Sequence, residues 1–339
     1  MTRASGWSAG QLAGFRALFK ILCVTALTLS AHSAWALQCL STTGGVTYTE
    51  PIGSVQTYPV NAPDGTVIWI SPTRTTTAIC AKDQGGGQNL STVDNIYLYP
   101  DPLNTSLPGL QIGIRYQGQD YYGGSRLPTG FSVPSCNQAT FNAGKCQTTT
   151  VSLTYQVVIR KQGTWTGALP NTYAAFQLDG ELGLNAIANH NFQYWLSGLS
   201  NLAPTTCTVD VTVTPEPGIV DFGQVQATAT GFSPARPTKP FALSLAKTAC
   251  DTGVNIQGYF QTANQVQNNL ILPASDSNFG IGIQDGSGNP IAIGEPFELV
   301  NFGATQTQVS IPFTATLNSL GAPKIGPFTV TATVLVLYD

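Results

Sequence analysis

From residue 37 to the end of the chain, no window of 11 residues carries a convincing 3.6-residue apolar period, while short β-branched and aromatic runs recur throughout. A helical core is thereby ruled out, because a packed helix must present an apolar stripe at that period. In the first half the runs span residues 95–99, 111–116, 151–160, 174–178 and 191–196. In the second they span 207–213, 241–245, 254–260, 280–283, 308–317 and 328–337. Gly, Pro, Asn or Asp bound them, and 35 glycines and 22 prolines supply the turns. Short strands at this spacing predict an all-β chain with one β-sandwich per half.

Composition narrows the function classes. Charged residues make up 9% of the chain, where an ordinary soluble domain carries about 25%. Low charge with 42% hydrophobic residues spread along the whole length opposes disorder, which needs the reverse balance. A net charge of −3 without a Lys/Arg cluster argues against nucleic acid as a partner, since that binding depends on neutralising phosphates.

Residues 1–36 read as a secretory signal. Arg3, Arg16 and Lys20 stand without acids, an apolar stretch follows at 21–31, and Ala34-Trp35-Ala36 precedes the expected cut. The apolar stretch is short of the roughly 20 residues a spanning helix needs, and no later segment approaches that length. The mature chain is therefore expected to begin at Leu37 and to be exported. Cutting there removes Cys23, leaving Cys39, Cys80, Cys136, Cys146, Cys207 and Cys250 in an oxidising compartment. Their spacing suggests the nearest-neighbour disulfides Cys39–Cys80, Cys136–Cys146 and Cys207–Cys250 among 15 connectivities. With no Cys-x-x-Cys and His190 as the only remaining histidine, neither a metal nor another cofactor is expected.

The two long cysteine pairs sit in similar surroundings, as though one module were used twice. The small, polar, Pro-containing run around Pro204 reads as a linker. The expected division is a signal at 1–36, a first domain at 37–200, a linker at 201–206 and a second domain at 207–339.

The C-terminal run alternates. Phe328, Val330, Ala332, Val334, Val336 and Tyr338 form one apolar face, and the other face changes from Thr to Leu. Together with Asp221-Phe222-Gly223-Gln224-Val225, the Gly280–Gly286 stretch, Gly288-Asn289-Pro290-Ile291, Gly326 and the penultimate Tyr338, this resembles the pilin domain of chaperone–usher fimbriae. The resemblance implies an immunoglobulin-like sandwich lacking its last strand. A periplasmic chaperone would then add a strand beside 328–338 and hold the carboxylate of Asp339, and the next fimbrial subunit would replace it after passage through an outer-membrane usher. Only Leu37 and Gln38 precede Cys39, and Cys207 follows directly on the linker, so neither domain has an arm to donate. A subunit that receives but cannot donate is expected at the fimbrium tip.

A tip subunit with an extra sandwich in front is similar to the two-domain tip adhesins of type 1-like fimbriae. The front half shares with their mannose-binding member a cysteine at the third mature position, a partner 41 positions on, an acid three residues later (Asp83) and a second acid before a strand (Asp94). The polar run that completes the mannose pocket has no counterpart at 160–167, so the resemblance does not fix the sugar. Candidate ligand residues are the Leu37 α-amino group, Asp83 and Asp94, which can exchange hydrogen bonds with sugar hydroxyls. Tyr121, Tyr122 and Trp165 are further candidates, on loops whose rings could stack on a sugar or fill an interface pocket. The expected function is attachment to a host glycan or matrix protein at the cell surface. The rivals are a structural tip or adaptor subunit and an extracellular glycan-acting enzyme. For the last there is no Gly-x-Ser-x-Gly elbow, and Gly85-Gly86-Gly87 lacks the Lys of a phosphate loop.

Overall fold

The computed structural model describes residues 37–338 apart from 43–44, 54–55, 84–89, 186, 249 and 251. The expected signal at 1–36, the glycines at 85–87 and Asp339 lie outside the described residues. Among the described residues the chain is all-β apart from two short helical turns.

Strand pairing up to residue 205 forms two main sheets. One has the order β1 (Leu37–Ser41), β5 (Arg74–Lys82), β10 (Thr149–Lys161), β7 (Leu110–Tyr116), β8 (Gln119–Tyr122), with β4 (Val67–Ile70) also on β10. The other runs β2 (Thr47–Pro51), β12 (Gln193–Ser197), β11 (Thr172–Gly180), β6 (Asp94–Pro100), β9 (Leu127–Val133). Their inner faces bury one core, in which Tyr155 meets Phe176 edge-on at 4.9 Å and Phe176 stacks on Tyr194 at 5.4 Å. The helix α1 (Gln138–Asn142) is a single capped turn inside the Cys136–Cys146 loop. Disulfides also join Cys39 to Cys80 and Cys207 to Cys250. Around Pro204, where a linker is expected, the chain runs as β13 (Leu202–Thr205), paired in parallel with β3 (Gln56–Pro59).

Beyond residue 207 a six-stranded sheet has the order β14 (Thr208–Thr214), β17 (Thr238–Thr248), β23 (Gln308–Ser319), β21 (Phe279–Asp285), β20 (Leu270–Ile271), β19 (Val266–Gln267). A three-stranded sheet, β22 (Pro296–Phe302), β18 (Val254–Gln261), β24 (Thr333–Tyr338), lies over it, and β15 (Gln226–Thr228) and β16 (Gly231–Ser233) form a small ribbon.

The C-terminal strand is shorter than the alternation predicts. Residues 328–332 are not in a ladder, because the partner strand β18 ends at Gln261. Side chains replace the ladder there: Thr262 Oγ1 donates to the Thr331 carbonyl at 2.6 Å, and the Thr331 N–H reaches Asn264 Oδ1 at 3.4 Å. Phe328 packs instead on Phe222 and Phe279, with Val330 beside them.

The two halves touch through β24 and β10. Val334, Val336 and Tyr338 face the rear core, while Leu335 and Leu337 face Ile70, Val158, Val67 and Tyr122 of the front half. This contact explains why the in–out alternation of β10 breaks at Gln156–Ile159, where both faces become buried. Tyr259 on β18 pins the contact: its hydroxyl accepts from Arg115 Nη1 at 2.8 Å and donates to Gln156 Oε1 at 2.9 Å. Gln156 Nε2 donates to the Gly294 carbonyl at 3.0 Å, and the Thr73 N–H donates to Glu295 at 3.0 Å. Replacing Tyr259 with Phe leaves Arg115 and Gln156 without this partner and should destabilise the chain by about 1–3 kcal/mol, read from the denaturant midpoint.

Candidate functional site

The end of the front half away from the rear half is built by the starts of β1 and β6 and the ends of β5 and β11. Ten residues of extended chain separate Thr73, which touches the rear half, from Asp83, a run of roughly 30 Å. The Cys39–Cys80 bridge fixes β1 on β5 just inside this pole, and the register pairs Leu37 with Lys82.

Three carboxylates converge there, all buried. Asp83 accepts from Asn185 Nδ2 at 2.6 Å and lies 2.9 Å from His190 Nδ1. Asp94 accepts from the Glu181 N–H at 2.9 Å and stands 3.9 Å from Lys82 Nζ. Asp179 is completely buried; its Oδ1 accepts from the Gly180 N–H at 2.7 Å, and its Oδ2 accepts from the Asn185 N–H at 2.5 Å and Gln177 Nε2 at 2.8 Å. Burial pushes the Asp179 carboxyl up to about 7, against the pull of these hydrogen bonds. Burial also lowers the Lys82 ammonium, an effect the Asp94 carboxylate opposes. Asn185 closes the cluster by donating to the Leu37 carbonyl at 3.2 Å.

Close approach makes a glycine necessary at position 180. A Cβ there would lie 2.9 Å from Asp94 Oδ1 and 3.0 Å from Leu37 Cγ. Around the buried acids, Val93, Leu182 and Ile187 are exposed on the segments that carry Asp94, Asp179, Asn185 and His190. Exposed apolar side chains thus stand on the same segments as a buried, internally hydrogen-bonded polar cluster. Among the described residues no group of three or more His, Cys, Asp or Glu is placed to hold a metal ion.

Of the six ligand candidates from the sequence, Leu37, Asp83 and Asp94 come together at this pole. Tyr121, Tyr122 and Trp165 lie elsewhere. The Tyr122 ring lies over Gly113, whose missing side chain makes room for it, beneath the Arg160 guanidinium at 3.5 Å and against the rear half. Tyr121 packs against the front core with its hydroxyl on Gln119, and Trp165 packs near Tyr58 at 6.0 Å. The sequence reading missed Gln177, Asp179 and Asn185. The available signal was Gln177 and Asp179 at alternate positions in an otherwise apolar strand, which puts two polar groups on one face.

A second site lies in the rear half. A cavity of about 1090 Å³ is lined by apolar side chains, among them Val213, Leu243, Phe260, Ile281, Phe328 and Val334. It is bordered by β14 and β24, each of which pairs on one side only among the described residues. The Val209 N–H donates to the Tyr338 hydroxyl at 2.7 Å and joins the two edges at one end. Exposed Ile219 and Ile325 stand among the lining residues.

At the front pole, Gly180→Ala should cost about 1–3 kcal/mol by crowding Asp94 and Leu37, read as a lower denaturant midpoint with unchanged slope.

The family model described as "Fimbrial protein" matches residues 197–339. Among solved structures, the chain is similar to the P pilus rod subunit PapA at 15% identity, over 39% of this chain and 92% of that one, with a TM-score of 0.30. It is similar to the CupB6 tip adhesin from Pseudomonas aeruginosa at 15% identity, over 89% and 94% of the two chains, with a TM-score of 0.26. For the CsuC-CsuE chaperone-tip adhesion subunit pre-assembly complex of Acinetobacter baumannii the values are 13%, 88%, 99% and 0.24. The residues that this family model matches, 197–339, hold the apolar cavity and the two strand edges beside it.

Proposed function

We propose that this protein is the tip adhesin of a chaperone–usher fimbria. Residues 37–200 bind a glycan or matrix-protein receptor, and residues 207–339 accept the strand that anchors the subunit. The observation that carries this reading is the apolar cavity between β14 and β24. Two edges with unpaired backbone groups flanking an uncovered core form a site that one added strand satisfies, through main-chain hydrogen bonds on both sides and alternate apolar side chains inward. A periplasmic chaperone occupies it first, and a neighbouring subunit's donor segment follows once the usher has received the complex.

The receptor role is supported by the front pole, at the far end of β5 from the rear half, where exposed Val93, Leu182 and Ile187 surround buried hydrogen-bonding groups. Nothing in that arrangement pairs a nucleophile with a base, so the acids are read as binding and structural groups, and the protein as non-enzymatic and displayed outside the cell.

Two outcomes test the proposal. A synthetic peptide with apolar residues at alternate positions, added to the chain, should raise its melting temperature, and Val334→Asp on the cavity wall should remove that gain; a chain insensitive to any such peptide argues against strand acceptance. On a panel of host glycans and matrix proteins, the chain should bind at least one, and Leu182→Ser with Ile187→Ser should weaken that binding at least tenfold, about 1.4 kcal/mol, without lowering the melting temperature. Absence of binding across the panel would favour a structural tip subunit.

A further inference from the structure

A polar cavity of about 370 Å³ opens in the flank of the front half, between the β6–β7 loop and the turn that follows β8. All of its walls come from residues between 101 and 173. Asp101, at its rim, directly follows β6, so the length of that strand, roughly 20 Å, separates it from Asp94 at the front pole. The segment 121–126, a candidate for its tyrosine rings, contributes Gly123 to the wall instead. Its φ of 91° favours glycine, and an added Cβ would meet nothing within 4 Å, so the wall stays open at that point.

The polar groups around this cavity are held in place without being saturated. Asp101 accepts from the Thr105 N–H at 2.9 Å through Oδ1, which braces the carboxylate and leaves Oδ2 clear of that donor. On β7, Gln111 Oε1 accepts from Arg160 Nε at 3.0 Å and Nη2 at 2.5 Å, and the Arg160 guanidinium lies over the Tyr122 ring at 3.5 Å. With its oxygen engaged, the Gln111 amide keeps Nε2 as a donor, and that atom has no hydrogen-bond partner among the described residues. The side chains of Asn104, Thr105 and Ser106 likewise make no hydrogen bond there. Burial, with the Asp101 carboxylate beside it, pushes the Tyr173 hydroxyl above its ordinary range, so it remains a donor. Leu110 and Ile112, both buried, supply an apolar floor. Asp101 is the one charged residue among those that line the cavity.

We propose that this cavity is a second ligand site of the front half, for a neutral hexose ring carried as a glycoside. A hydroxyl both donates and accepts, so neighbouring hydroxyls of one ring can donate to the Asp101 carboxylate and accept from the Gln111 amide. The C–H face of the same ring then lies on Leu110 and Ile112. The volume falls in the range of roughly 300–1,000 Å³ found for small-ligand sites. Holding Gln111 through Arg160 and Asp101 through Thr105 means that little ordering remains to be done on binding. An acidic sugar would meet Asp101 with no lining cation to offset the repulsion, and an ammonium ligand, having no acceptor, could not use the Gln111 donor. The inference depends neither on the front pole nor on a strand-accepting role of the rear half.

The test titrates the full chain with the methyl glycosides of neutral hexoses and N-acetylhexosamines, read by calorimetry. At least one should bind in the millimolar range, and N-acetylneuraminic acid should not. Gln111→Glu keeps a partner for Arg160 but replaces the donor with an acceptor. Asp101→Asn keeps an oxygen for the Thr105 N–H and tolerates the φ of 45° at that position, but removes the charge. Each should weaken binding at least tenfold with an unchanged melting temperature. Ser106→Trp, which fills the cavity from an exposed position, should abolish it. Leu182→Ser with Ile187→Ser at the pole should leave it unchanged. No binding by any glycoside, binding indifferent to the three cavity substitutions, binding lost with the pole substitutions, or preference for the acidic sugar would each overturn the proposal. The cavity and pole variants are separate, so this test and the receptor test fail separately.

Discussion

Strand β24 holds the molecule together because both of its faces are occupied. Val334, Val336 and Tyr338 close one side of the rear core, and Leu335 and Leu337 form the seat of the front half. One edge pairs with β18 over six residues. The other borders an apolar cavity, so its backbone groups are supplied with partners on one side only. The strand that leaves one edge beside the cavity is thus also the strand against which the front half packs. The Tyr259–Arg115–Gln156 hydrogen bonds lie beside it and give that contact a defined orientation, which apolar packing alone does not.

At the far pole the governing constraint is electrostatic. Three buried carboxylates in one small cluster lose hydration, and the fold answers with backbone N–H groups, amide side chains, Lys82 and His190. Such an arrangement is rigid, because each acceptor depends on donors from a different strand or loop. Rigidity suits a surface whose exposed Val93, Leu182 and Ile187 would otherwise be poorly positioned. It also separates the two properties of the pole: the acids organise it and the apolar residues present it.

Much of the fold was legible in the sequence because β-structure writes its period locally. Each expected run overlaps an observed strand; residues 191–192 and 207 fall just before β12 and β14, and residues 328–332 extend beyond the end of their partner. The alternation at 328–332 is real, but alternation reports which faces are apolar and says nothing of whether a neighbouring strand is long enough to pair. At the front pole, Asp83 and Asp94 were singled out only through the family resemblance, Asp83 by its place three residues after Cys80 and Asp94 by its place before a strand. Asp179, Asn185 and His190 were not, since they come from a strand end and a loop about 100 residues further on. Tyr122 shows the converse limit. Its loop-like composition suggested exposure, and only the arrival of the rear half covers it.

By itself, the sequence determined the all-β class, because the absence of a 3.6-residue period leaves the backbone no other way to bury its apolar residues. It also limited the disulfide choices, through cysteine spacing, and set a sparse charge unevenly: the front half is nearly neutral, with seven basic and eight acidic side chains at 37–204, and the rear half acidic, with four and nine. Tertiary structure alone decided which acids meet, which aromatic rings are covered, and that β24 serves two cores at once. Those outcomes depend on contacts between residues far apart in the chain, whose energies exist only once the strands have been brought side by side.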